Sequence, residues 1–467
     1  MPDGSMVQLP ALPVAVIGAG PVGLAAAAHL RARGLTPLVL EAGSDAAAAV
    51  RAWGHVHMFT PWRFNIDGAA RALLEARGWT APDAEAYPTG AEMADLYLAP
   101  LAQALGGAVR TGARVVAVSR RHHDLMRDAG REAAPFLLHV AGRDGAVEEV
   151  EAAAVIDCSG TWETPNPAGP HGLLAPGEAA HPGLIAYGIP DVLGTERETY
   201  AGRSIMVVGA GHSAMNVVLG LARLAQDAPG TRITWAFRRP LGAVRFGGGV
   251  NDGLLERGAL GARAHALIED GTVRALAPFL IGRIEEEGGA LLVTGQRGGQ
   301  REQVQVDRMI VAAGFRPDLA PLRELRVALD PAVQAPPRLA PLIDPNVHSC
   351  GTVRPHGEAE LRHPEPGFYI AGMKSYGRAP TFLLATGHEQ VRSIAAALAG
   401  DWDAAREVRL ELPETGVCSG PGLASAVAEA CCTPATPQGA CCKPKPDLAA
   451  AAPCCGPVPA RAASCCG

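Results

Sequence analysis

Residues 14–30 read VAVIGAGPVGLAAAAHL, and this stretch decides the fold. Four apolar residues, Val14 to Ile17, run directly into Gly18, Gly20 and Gly23, and an alanine-rich helical segment then continues to Gly34. G-x-G-x-x-G between a strand and a helix suits a dinucleotide. One glycine permits a tight turn, one lets a pyrophosphate approach the backbone, one lets helix pack on strand, and the helix N-terminus faces the phosphates. Glu41 closes the next strand, PLVL, 18 residues beyond Gly23, where a carboxylate accepts the hydroxyls of an adenosine ribose. A membrane helix is excluded, because Pro21 and the glycines interrupt the apolar run.

A second strand, turn and helix follows in SIMVVGAGHSAMNVVLGLARLAQ, residues 204–226. Gly209, Gly211, Ser213 and Ala214 lie in its G-x-G-x-x-A turn, and the next strand, RITWAFRR, ends in Arg238 and Arg239 instead of an acid. An acid there would repel a 2′-phosphate, whereas arginines hold it with charge-assisted hydrogen bonds, so NADPH is expected over NADH.

The alternation of β-rich and helical runs predicts an α/β protein with two Rossmann-like dinucleotide-binding domains. Residues 1–166 are read as the first part of an FAD-binding domain and 167–305 as an inserted NADPH-binding domain. Residues 306–405 are read as the second part of the FAD domain, because the strand RMIVAAG (308–314) echoes VIDCSG (155–160). Residues 406–467 are read as a flexible Ala- and Pro-rich tail. The 41 basic residues fall short of the 47 acidic ones, which leaves no basic footprint for nucleic acid. No targeting or membrane-spanning pattern is evident, so a cytoplasmic protein is expected.

GAGPVG with Glu41, the strands ending in Gly160 and Gly314, and GAGHSA together resemble the FAD-dependent pyridine-nucleotide oxidoreductases, and within them the flavin monooxygenase-like branch. The resemblance spans about residues 12 to 400. It implies FAD at the first site and NADPH at the second, with Val116 offering backbone groups to the adenine. It also places Trp53, Pro61 and Trp62 by the flavin, though Trp62 reads equally as a core aromatic. Gly372 and Met373 fall where relatives often carry Gly-Asp beside the ribityl chain and pyrophosphate. The helix starting near Thr381 would aim its positive end at the flavin.

Reductases of this superfamily keep a dithiol against the flavin, and the body has only Cys158, in a buried-looking strand, and Cys350. Molecular oxygen is then the expected electron acceptor, which makes a monooxygenase acting on a small molecule the leading reading. The monooxygenase fingerprint is degraded. Gly177 and His181 keep the spacing, with His181 as the candidate catalytic residue or a surface histidine, but Ala175 and Ile185 replace the aromatics.

The last 50 residues hold nine of the 11 cysteines and no aromatic residue, so they cannot bury a core. Eight of them form adjacent pairs: Cys431 and Cys432, Cys441 and Cys442, Cys454 and Cys455, Cys465 and Cys466. Thiolates are soft ligands that select thiophilic ions such as trivalent arsenic. The body together with this tail resembles bacterial flavoproteins encoded with arsenic resistance genes. Two alternatives stay open beside the monooxygenase: an NADPH-dependent thiol or metalloid reductase using the tail cysteines, and a metalloid-binding protein with a vestigial flavin.

Overall fold

The computed structural model describes residues 12–244, 246, 255–346, 354–380 and 382–410. Strand β1 (Val14–Ile17) leads through the glycine loop into helix α1 (Pro21–Ala32), and β2 (Pro37–Leu40) and β3 (Val109–Arg110) extend the sheet to one side. The loops between them carry helix α2 (Gly68–Glu75), whose first turn Asp67 caps through the Ala70 amide. An antiparallel meander of β4 (Arg114–Arg120), β5 (Phe136–Ala141) and β6 (Val147–Ala152) follows. The chain then returns as β7 (Ala154–Asp157) beside β1.

The second module holds β8 (Ile185–Tyr187), β9 (Ser204–Val208), α3 (His212–Asp227), β10 (Arg232–Ala236) and β11 (Val273–Leu276). A second meander of β12 (Leu280–Glu287), β13 (Ala290–Arg297) and β14 (Gln300–Val306) packs on this sheet, with Val293 and Val304 in one core with Met206 and Met309. Strand β15 (Arg308–Val311) pairs with β8 and β9. The chain re-enters the first sheet only at β16 (Phe368–Ile370), and helix α4 (Leu384–Leu398) packs back on α1. Both large sheets are parallel, in the orders β16-β7-β1-β2-β3 and β11-β10-β9-β15-β8.

The strand expected to reopen the first module at 306 therefore belongs to the second. Only Asp307 separates β14 from β15, and one residue spans too little chain to cross between sheets. The crossover lies past Gly314. There Asn166 donates its backbone N–H to the Gly314 carbonyl and its side-chain amide to Ala313, tying the outgoing and returning segments together. Among the described residues no helix is long and apolar enough to cross a membrane. The four cysteine pairs, Cys350 and Thr381 lie outside the described residues.

Candidate functional site

The first glycine loop sits at the C-terminal edge of the first sheet. Gly18 has φ +97°, and a Cβ there would stand 2.9 Å from the Cys158 carbonyl oxygen, so both conformation and space demand glycine. A Cβ on Gly23 would meet the Gly18 oxygen at 2.0 Å, which seats α1 directly on the loop. Gly20 faces open space within 4 Å, and no side chain caps the amides of α1. This is the opening a phosphate needs at a helix N-terminus. Glu41 accepts the Ala19 amide at 2.6 Å and the Gly43 amide at 2.8 Å, which fixes its carboxylate against the loop and leaves lone pairs for ribose hydroxyls.

The second loop repeats this geometry. Gly209 has φ +136° and abuts the Ala312 carbonyl oxygen, Gly211 faces open space, and α3 starts without a side-chain cap. The Trp235 indole donates to the Gly209 carbonyl at 2.8 Å and steadies the turn, while Ser213 and the buried Ala214 lie in the first turn of α3. Arg238 and Arg239 follow β10, both exposed, and Arg238 reaches the Pro170 carbonyl at 3.3 Å.

Between the modules lies a cleft of about 190 Å³. One wall comes from Trp53 and residues 56–60, another from Phe382, Leu383 and Leu384 at the start of α4, and the third from Ile189, His212, Ser213 and Asn216. Two uncapped helix N-termini, those of α3 and α4, thus open at one apolar cleft. The Phe59 ring meets the His212 ring across the module boundary at 5.4 Å. Gly90 makes room for Trp53, since a Cβ there would touch the indole at 2.7 Å.

The remaining expected residues divide. Val116 is exposed on β4, and the ladder to β5 skips it between Val115 and Ala117, which leaves it opposite no partner. Trp62 is buried in the first module's core and is absent from the cleft lining, as is His181, which pairs with Glu286 at 3.3 Å beside β12. Gly160 and Gly314 both take positive φ where their strands end. Gly372 donates its N–H to Gln390, and Met373 follows it in the same turn.

Sequence reading missed His57, His212 and Asn216, and also the buried ion pair of Lys374 with Asp157 at 2.7 Å. Cys158 is the one free cysteine among the described residues. Burial, reinforced by Asp157, pushes its thiol far up and keeps it protonated.

Two nucleotide-type loops on two parallel sheets define a two-dinucleotide α/β fold. Residues 13–90 match the family described as FAD dependent oxidoreductase, in agreement with FAD at the first loop. Solved structures sharing the fold include a bacillithiol disulfide reductase from Bacillus cereus, with TM-score 0.62, 20% identity, and 83% of this chain and 99% of that chain covered. A cadaverine monooxygenase from Erwinia amylovora, determined bound to FAD, gives TM-score 0.57 and 13% identity over 90% of this chain and 100% of that one. A flavin monooxygenase from Stenotrophomonas maltophilia gives TM-score 0.53 and 22% identity over 84% and 99%. No curated protein matches the chain in sequence.

Proposed function

We propose that this chain is an FAD- and NADPH-dependent monooxygenase acting on a small molecule. The cleft carries the reading, because it is apolar and aromatic, draws on both modules, and has no thiol among its described lining residues. A reductase that works through a dithiol would need a cysteine pair against the flavin, and Cys158, the one free cysteine among the described residues, is buried and protonated. Bound FAD would supply the relay of two electrons from NADPH to dioxygen, so that with one proton taken up one oxygen atom enters the substrate and the other leaves as water.

The chain supplies position and environment. The loop at Gly20 and the N-terminus of α1 hold the FAD diphosphate, with Glu41 on the ribose. The loop at Gly211 takes the NADPH diphosphate, and Arg238 and Arg239 take its 2′-phosphate. Trp53, Phe59 and Phe382 exclude water, while His57, His212, Ser213 and Asn216 are among the polar residues that line the same space.

The tail cysteines are proposed as a separate thiophilic site, on the chemistry of thiolates alone. NADPH-dependent oxygen uptake separates the readings when the full chain is compared with one whose eight paired cysteines are Ser. A monooxygenase keeps its uptake, whereas loss of turnover would favour the reductase reading. Stimulation by arsenite or methylated arsenicals tests the link to arsenic.

A further inference from the structure

Of the 41 basic residues only three are lysines, and Lys374 is the only one before residue 443. Everywhere else in the body arginine suffices. Lys374 is 3% exposed, and its ammonium donates to Asp157 Oδ2 at 2.7 Å and to Ser159 Oγ at 3.0 Å. Ser159 in turn donates its N–H and O–H to Asp157 Oδ1, so one carboxylate organises the whole group.

The place of this group is specific. Asp157 ends β7, in register with Ile17 on β1 and Ile370 on β16. The Ser159 Cα lies 3.1 Å from where a Gly18 Cβ would be, and a Cβ on Gly372 would touch the Val22 side chain at 3.3 Å. The ammonium therefore lies at the C-terminal ends of the three adjacent strands β16, β7 and β1, beside the first glycine loop. That crevice is where doubly wound sheets bind their ligands.

An ammonium has three donors, and two are used here. It is also a compact point charge, where a guanidinium would bring a planar fork. We infer that Lys374 is an FAD-binding residue whose charge and third N–H serve the diphosphate and ribityl stretch, while Asp157 and Ser159 hold the ammonium in place. This rests on FAD occupying the first module. The rival account is that the pair merely clasps β7 to the turn after β16, and it makes different predictions.

The test is FAD dissociation from the full-length holoprotein, read as free-flavin fluorescence on serial dilution, with circular dichroism to monitor the fold. Lys374→Met alone strands the Asp157 carboxylate, so the deciding variant combines Lys374→Met with Asp157→Asn and leaves no buried charge unpaired. That double variant should keep its fold and hold FAD at least about tenfold more weakly than the parent, the scale of one lost charge-assisted hydrogen bond. Asp157→Asn alone keeps the lysine and an amide oxygen for it to donate to, and in the holoprotein the diphosphate supplies the counter-charge, so it should stay within about threefold of the parent by the same measure. A double variant that holds FAD as tightly as the parent overturns the inference, and so does Asp157→Asn alone losing as much affinity as the double variant. A parent that takes up no FAD overturns the flavin reading itself and the inference with it.

Discussion

The two glycine loops are built alike and surrounded differently. In each, the first glycine has positive φ and presses on a carbonyl of the segment leaving the adjacent parallel strand, Cys158 in one module and Ala312 in the other. The second glycine of each faces open space, and each helix begins without a side-chain cap. The charged residue after the second strand then separates them. Glu41 is bound into its loop through two backbone amides, whereas Arg238 and Arg239 stand exposed with a single long contact to Pro170. The backbone thus provides a phosphate cradle twice. A preorganised carboxylate suits a resident cofactor, and solvated arginines suit one that exchanges, because less is lost when it leaves.

The largest effect should separate the cradles outright. Gly20→Val places a side chain in the open space before α1, so the protein should fold and purify without yellow colour. Gly211→Val makes the same change in the other loop and should leave FAD bound while NADPH-driven turnover disappears. Absorbance at purification and flavin reduction under NADPH report both. A yellow, active Gly20→Val would break the comparison at its root.

Acid should open the modules in a fixed order. Burial pushes His356, His363 and His388 down, His363 to about 4, and all three lie in the returning part of the first module. A histidine whose folded pKa lies below its unfolded value of about 6.5 contributes fully above that pH and loses its contribution as pH falls towards 4. His363 alone accounts for about 3 kcal/mol over this window, taking one pKa unit as about 1.4 kcal/mol. FAD release, followed by flavin fluorescence, should therefore begin between those limits, before the amides of α3 lose hydrogen-exchange protection. Opening of the second module first would contradict this.

Both cradles were legible in the sequence because they are local: strand, glycines, helix and the residue after the next strand fall within about 30 residues, the span of a βαβ unit. What depends on distant partners was not. The strand Arg308–Val311 reads the same in either sheet, and it is the single-residue link from β14 that commits it to the second, between β8 and β9. Trp53 and Trp62 sit nine residues apart in one suggestive stretch, yet one lines the cleft and the other fills the core. Asp157 and Lys374 are 217 residues apart, and nothing near either residue marks the other.

A smaller effect should sharpen the contrast in charge. Arg238→Ala should raise KM for NADPH by about 10- to 100-fold, the loss of one charge-assisted contact, with kcat little changed. Kinetics with NADH should not move, since NADH carries no 2′-phosphate. If the parent uses both nucleotides equally, the arginines are surface charges and the two modules differ less than their strand ends suggest.

The smallest effect concerns His181, where sequence spacing and structure part company. The Gly177–His181 turn is pressed on β12, because a Cβ on Gly177 would meet the Ile284 carbonyl oxygen at 1.9 Å. The His181 carbonyl accepts the amides of Leu184 and Ile185, and its ring pairs with a half-exposed Glu286 at 3.3 Å. These contacts shape the entry to β8, and the ring is absent from the cleft lining. A polar contact to a carboxylate this exposed is worth about 1 kcal/mol or less. His181→Ala should therefore leave kcat/KM within about twofold and lower thermal stability slightly, by about that same energy. A loss of about tenfold or more in kcat, with FAD and NADPH affinities intact, would require the second module to turn about its linkers during turnover and carry this face to the flavin. Stopped-flow measurement of flavin reduction and reoxidation in the variant would show which half-reaction had slowed.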